Sequence, residues 1–125
     1  SAGGDPLHLF DELLASGPLF GAVVVDAQGL VHAGRFIEQT AVEADVIGAV
    51  VGGSVEEAAR TVQHLHIGAW RGILLEAEHA LLHLAPVSRD AVVVLAAQRN
   101  TPAGWLKRVG AQAAERAGRY LEAYE

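Results

Sequence analysis

The sequence contains no cysteine, which excludes disulfides, thiolate metal sites and cysteine nucleophiles. It contains no methionine either, so the initiator is absent. The expectation is a start that was processed away or a piece cut from a longer chain. No run of about 18 or more apolar residues occurs, so no membrane span and no membrane insertion are expected. The opening Ser1-Ala2-Gly3-Gly4 lacks the basic and apolar segments of a signal peptide. Residues 1–4 read as a flexible lead-in or an expression scar, and the default location is cytoplasmic. Cations are scarce: nine Lys and Arg against fifteen Asp and Glu, a net charge of -6. The arginines at 35, 60, 71, 89 and 99 are scattered, and only Lys107-Arg108 stand side by side. Nucleic acid is therefore excluded as the main partner, because phosphate neutralisation needs a clustered basic surface.

Apolar residues, by contrast, are plentiful, at 51% of 125 residues. That is enough for one domain with a real core, over residues 5–125. High apolar content and low charge argue against disorder.

Asp5-Pro6 suits a helix start, and Leu7, Phe10, Leu13 and Leu14 follow at helical spacing before Ser16-Gly17-Pro18 closes the segment. Residues 20–25 form a β-branched run that ends in the turn Asp26-Ala27-Gln28-Gly29, with a second strand over 30–36; together they read as a hairpin. Over 38–66, Ile47, Val51, Val55, Ala58, Val62 and Leu65 make a helical stripe, with Ala44, Gly48 and Gly52 as a second line of small residues. One long helix is expected there. Gly52-Gly53, or a capping box at Ser54-Val55-Glu56-Glu57, leaves open a bend or break. Three strands follow, over 67–77, 80–86 and 91–97, joined too tightly for crossovers and hence antiparallel. The runs 20–25 and 91–97 are apolar at every alternating position, so the sheet should be covered on both faces. Thr101-Pro102 should open a last helix, with Leu106, Val109, Ala113, Ala117, Tyr120 and Tyr124 inward. The expected fold is thus α/β (α+β), in the order α-β-β-α-β-β-β-α: a five-stranded, mainly antiparallel sheet with helices on both faces.

Catalytic signatures are missing. No G-x-x-x-x-G-K-[ST] loop occurs, and Asp26-x-x-Gly29 sits between two short strands where both residues serve a turn. Ser16, Ser54 and Ser88 lie at a helix end, a helix start and a tight turn, none within G-x-S-x-G. His8, His32, His64, His66, His79 and His83 have no zinc-site spacing. Asp11-Glu12, Glu56-Glu57 and Glu76/Glu78 fit helix starts and wet faces. No metal, cofactor or catalytic residue is therefore expected. Trp70 and Trp105 suit core packing; Trp70, flanked by Gly68 and Gly72 in a presumed strand, is also a candidate interface anchor.

This layout resembles the Roadblock/LC7 family, small modules that include dynein light chain relatives and bacterial regulators of Ras-like GTPases. The resemblance covers about residues 5–122. It is carried by Gly21-Ala22-Val23-Val24-Val25-Asp26-Ala27-Gln28-Gly29-Leu30-Val31, by Ile73-Leu74-Leu75-Glu76, by Leu84-Ala85-Pro86-Val87 and by Pro102-x-Gly104-x-Leu106. The chain departs from the family in lacking a glycine in the hairpin after Leu75 and in having Gly52-Gly53 within the middle helix. The resemblance implies a profilin-like sandwich and a homodimer in which the third strand pairs with its twin and the middle helices lie together. It further implies a non-enzymatic adaptor or regulator that binds a small Ras-like GTPase and modulates its hydrolysis. Interface candidates are Ala44, Gly48, Gly52, Val55 and Arg60 on the helix, and Ile67, Ala69, Trp70, Arg71 and Ile73 on the long strand. Two rivals remain open: a small-ligand sensor of profilin-, PAS- or GAF-like build, and a plain dimerisation domain of a larger protein.

Overall fold

The computed structural model describes residues 5–15, 17–37 and 44–123, with the backbone alone for 44–50 and 52. A 3-10 turn over Pro6–His8 precedes a short helix α1 (Asp11–Ala15). Asp5 does cap this start, accepting the Leu7 N–H at 3.0 Å. The single first helix suggested by the apolar spacing is thus two pieces. Phe10, at their junction, and Leu13 and Leu14 are buried.

Strands β1 (Leu19–Asp26), β2 (Val31–Phe36), β3 (Ile73–Glu76), β4 (Ala80–Ser88) and β5 (Ala91–Gln98) form one sheet in the order β2-β1-β5-β4-β3. All four pairings are antiparallel. The helix α2 (Ala44–Leu65) lies on one face, and α1 and α3 (Ala103–Ala123) on the other. The expected element order and two-sided cover are both present.

Alternation sorts the side chains into two cores. Ala22, Val24, Val93, Leu95, Ala97, Leu81 and Ala85 point to α1 and α3, meeting Leu106, Val109, Ala113 and Ala117. Val23, Val25, Val94 and Leu84 point the other way, toward Val51 of α2. Fully burying a valine or leucine contributes roughly 1.5–3 kcal/mol, so the central strands, buried on both sides, anchor the fold.

The first hairpin follows from Asp26. Its Oδ1 accepts the N–H groups of Gln28 at 2.9 Å and Leu30 at 3.0 Å, and its Oδ2 lies 2.8 Å from His32 Nε2. Partial burial works to raise this carboxyl, but the hydrogen bonds from His32, Leu30 and Gln28 outweigh it and hold the group below its ordinary value. Gly29 takes a positive φ of 85°. The D-x-x-G motif makes the turn between β1 and β2. In β2, Gly34 has φ of 89°, and a Cβ there would run into the carbonyl oxygen of Ala22.

α2 runs unbroken through Gly52-Gly53, and Ser54 lies within it instead of starting a new helix. Its far end departs most from expectation. His66 adopts φ of 56°, its N–H donates to Gln63 O at 3.2 Å, and the Ile67 N–H donates to Val62 O at 3.4 Å. These two bonds make a Schellman stop, here on a histidine instead of the usual glycine. Gly68, at φ of 97°, turns the chain again. Residues 66–72 are therefore a loop, and the expected long strand over 67–77 shrinks to the four residues of β3.

Candidate interaction surface

The interface candidates fall into three structural settings. Ala44, Gly48 and Gly52 are helical in backbone, but their side-chain positions lie outside the described residues, so the small-residue line has no described contacts. Val55 is half-buried against the core between α2 and the sheet. Arg60 reaches back along its own helix, with Nη1 2.7 Å from Glu57 Oε2 and Nη2 3.4 Å from Glu56 Oε1.

Ile67, Ala69, Trp70 and Arg71 were expected in a strand and lie instead in the loop that links α2 to β3. The left-handed residues at 66 and 68 are the physical reason: neither φ is compatible with a ladder. Ile67 and Ala69 are exposed, as is Arg71. Trp70 is half-buried; it packs on the α2-side core with Ile73 and Leu82. Ile73 opens β3 and is half-buried.

Trp70 also separates two hollows beneath α2. One, of about 220 Å³, is lined by Val25, Val51, Val55, Val92 and Trp70, with Asp26, Glu56, Arg89 and Asp90 among its polar residues. This volume is below the roughly 300–1,000 Å³ typical of small-molecule sites. The other, shallower, runs from Ala59 and Val62 to Gly68 and Ala69. Trp105 packs half-buried on the opposite core.

α2 rests chiefly on β1 and β2. Among the described residues, nothing covers the far part of the same sheet face. Leu75, opposite Leu82 in the ladder, is 46% exposed; Leu65 at the end of α2 is 60% exposed and Ile67 is 67% exposed. Among the described residues, β3 is the terminal strand, bonded through one edge only, to β4. Exposed strand edges and exposed large apolar side chains are both features that protein association can cover. Sequence reasoning singled out Ile67 and Ile73 but passed over Leu65 and Leu75. Leu65 belonged to a regular apolar stripe, and nothing marked where that stripe would leave the sheet.

The histidines are dispersed. His64 and His66 end α2, His79 is exposed in the β3–β4 turn, and His83 is buried beneath α3. Among the described residues, no group of three or more His, Asp or Glu side chains could hold a metal ion. No described helix is long and apolar enough to cross a membrane. Glu76 lies 3.6 Å from Arg99 across the rim of the sheet.

Comparison with known proteins gives a consistent answer. A family model described as the Roadblock/LC7 domain matches residues 7–97. No curated protein matches the chain. Among solved structures, an MglB with a tetrameric arrangement is similar at 21% identity and a TM-score of 0.84, covering 96% of this chain and 93% of its own. A Roadblock/LC7 domain from Streptomyces avermitilis is similar at 20% identity and a TM-score of 0.80, covering 95% of this chain and 99% of its own. A profilin from Schizosaccharomyces pombe is similar at 14% identity and a TM-score of 0.54, over 95% of this chain and 97% of that one. The profilin-like fold expected from the resemblance is therefore present.

Proposed function

The chain belongs to the Roadblock/LC7 domain family, and from that premise we propose that it is a dimeric adaptor or regulator that binds a small Ras-like GTPase and modulates its GTP hydrolysis. The observation that carries this reading is the outer edge of β3, unpaired among the described residues, with the exposed apolar side chains of Leu65, Ile67 and Leu75. A second copy, related by a two-fold axis, would extend the sheet across β3 and cover these side chains, because an isologous contact sets the same patch against itself. The relative with a tetrameric arrangement supports self-association in proteins of this build.

The partner surface would be the paired α2 helices and the 66–72 loops that flank them. No residue of this chain is assigned a catalytic role. Arg60 is held by two glutamates of its own helix, which makes it a poor donor to a partner's phosphates. The chain's part is to bind and position switch segments of the GTPase, whose own groups carry out hydrolysis.

The test is light scattering followed by pull-down. The wild type should have a dimer mass at micromolar concentration and should retain a small GTPase in one nucleotide state, GTP or GDP, over the other. Leu75→Lys sets a charge at this exposed edge without touching either core. It should give a monomer and weaken retention. A monomeric wild type overturns the dimer, and equal neglect of GTP- and GDP-loaded GTPases overturns the partner.

A further inference from the structure

The opposite face of β3 carries a second feature, unrelated to those apolar side chains. Most arginines of this acidic chain are matched: Arg35, Arg60, Arg99, Arg116 and Arg119 each stand near a carboxylate. Arg71 and Lys107 have no carboxylate within ion-pair distance among the described residues, and both line one cleft of about 410 Å³. No Asp or Glu lines it. In a chain with fifteen acidic residues and nine basic ones, that is a local reversal of sign.

The floor of the cleft is His83, only 6% exposed. Its ring fits a slot that exists because two neighbours are glycine. A Cβ on Gly72 would stand 3.2 Å from Cε1, and a Cβ on Gly110 would stand 2.7 Å from Nε2 and collide with Cδ2. His83 makes no hydrogen bond among the described residues. Among the described residues no fully enclosed side-chain nitrogen lacks a partner, so the unbonded ring nitrogens reach solvent, and the cleft is the opening that His83 lines.

The rim is the start of α3, where Ala103 and Gly104 line the same cleft. This helix start is uncapped. The Thr101 hydroxyl donates to Gln98 O at 2.7 Å instead of accepting from the first turn, and that turn has no acidic residue. Pro102 O accepts the first helical bond, from Leu106 at 3.0 Å, which leaves the amides of Ala103 and Gly104 without intrahelical acceptors.

We propose that this cleft is a binding site for a phosphate group, held between Arg71 and Lys107, with the His83 ring and the first amides of α3 as further donors. Two permanent cations balance a dianion, whereas a carboxylate would leave one of them unmatched. Free N–H groups at a helix start add the partial positive charge that favours such anions. The volume, within the range of small-molecule sites, admits either free phosphate or a phosphomonoester whose organic part lies along Leu74.

Isothermal titration calorimetry at low ionic strength tests the site with inorganic phosphate, phenyl phosphate and acetate as probes, on the intact protein. Saturable binding of phosphate is expected. Charge-assisted hydrogen bonds are the strong class, so Lys107→Gln and Arg71→Gln, both exposed, should each weaken binding roughly tenfold or more. Arg89→Gln, which removes the same charge from the β4–β5 turn, outside the cleft, should leave affinity unchanged. Nitrogen NMR should show the His83 ring shifting on addition of phosphate. Tighter phenyl phosphate would identify a phosphomonoester, and tighter inorganic phosphate the free ion. No saturable binding overturns the proposal. So does acetate binding as well as phosphate, or Arg89→Gln weakening binding as much as Lys107→Gln.

Discussion

Gly110 lies in α3 where the helix passes over His83 of β4, and its replacement by alanine should change sign with the residue beneath it. The added Cβ would stand 2.7 Å from Nε2 and closer still to Cδ2, inside any normal contact. The ring can yield only in part, toward Gly72, where the missing side chain leaves space beside Cε1. Overpacking of this kind costs about 1–3 kcal/mol. Against it stands the gain of about 1 kcal/mol for alanine over glycine inside a helix. Gly110→Ala should therefore destabilise the wild type by roughly 0–2 kcal/mol. In a His83→Ala background the overlap is gone and only the helix gain remains, so the same change should stabilise by about 1 kcal/mol. The coupling between the two sites is then about 1–3 kcal/mol, within the span known for residues in contact. Urea denaturation of all four proteins measures it, at one protein concentration because association shifts apparent stability. Gly110→Ala acting alike in both backgrounds would refute the slot.

Two further outcomes rest on single residues. Burial, aided by Lys107, holds His83 below the ordinary histidine value, so the folded protein resists a proton that the unfolded chain takes up below about pH 6.5. Stability from this group is complete above that pH and falls as pH drops toward the folded pKa, by up to about 1.4 kcal/mol per unit. Urea midpoints between pH 7.5 and 5.5 should show the fall, and His83→Gln should flatten it; an unaltered slope in that variant refutes the assignment. Gly34→Ala sets a side chain on a left-handed residue and drives its Cβ into the Ala22 carbonyl. The combined strain and overlap should cost roughly 2–4 kcal/mol, read as a lowered urea midpoint; a loss under 1 kcal/mol would mean the β1–β2 pairing relaxes freely.

How far the sequence discloses this molecule depends on where each signal sits. The strands buried on both sides were legible because alternation leaves both of their faces apolar, as in 91–97. The last helix was legible from the spacing of Leu106, Val109, Ala113 and Ala117. The Asp26 turn was legible because one short side chain serves two backbone amides four residues apart or fewer. The end of α2 was not, since its left-handed stop falls on His66, a residue with no preference that announces it, and the apolar residues beyond it imitate a strand. The continuity of α2 through Gly52-Gly53 was likewise open, because helix propensity weighs about 1 kcal/mol per glycine and packing over 22 residues can outweigh it.

The two surfaces illustrate the same distinction at longer range. β3 has four residues, and alternation sends Ile73 and Leu75 toward the α2 face and Leu74 toward the cleft beneath α3. The exposed apolar side chains are close together in sequence, from Leu65 to Leu75, so part of that set could be named in advance, although in the wrong element. The cleft draws on Arg71, His83 and Lys107, which fall in three separate segments. Each of them is unremarkable where it stands: a lone arginine after a tryptophan, a histidine within an apolar strand, the only lysine of the chain. Only the antiparallel pairing of Leu74 with His83, and the passage of α3 over β4 at Gly110, bring them to one place. A site assembled by topology from single residues leaves no motif, so a motif search passes over it, and its chemistry becomes visible only when the unpaired charges are counted in space.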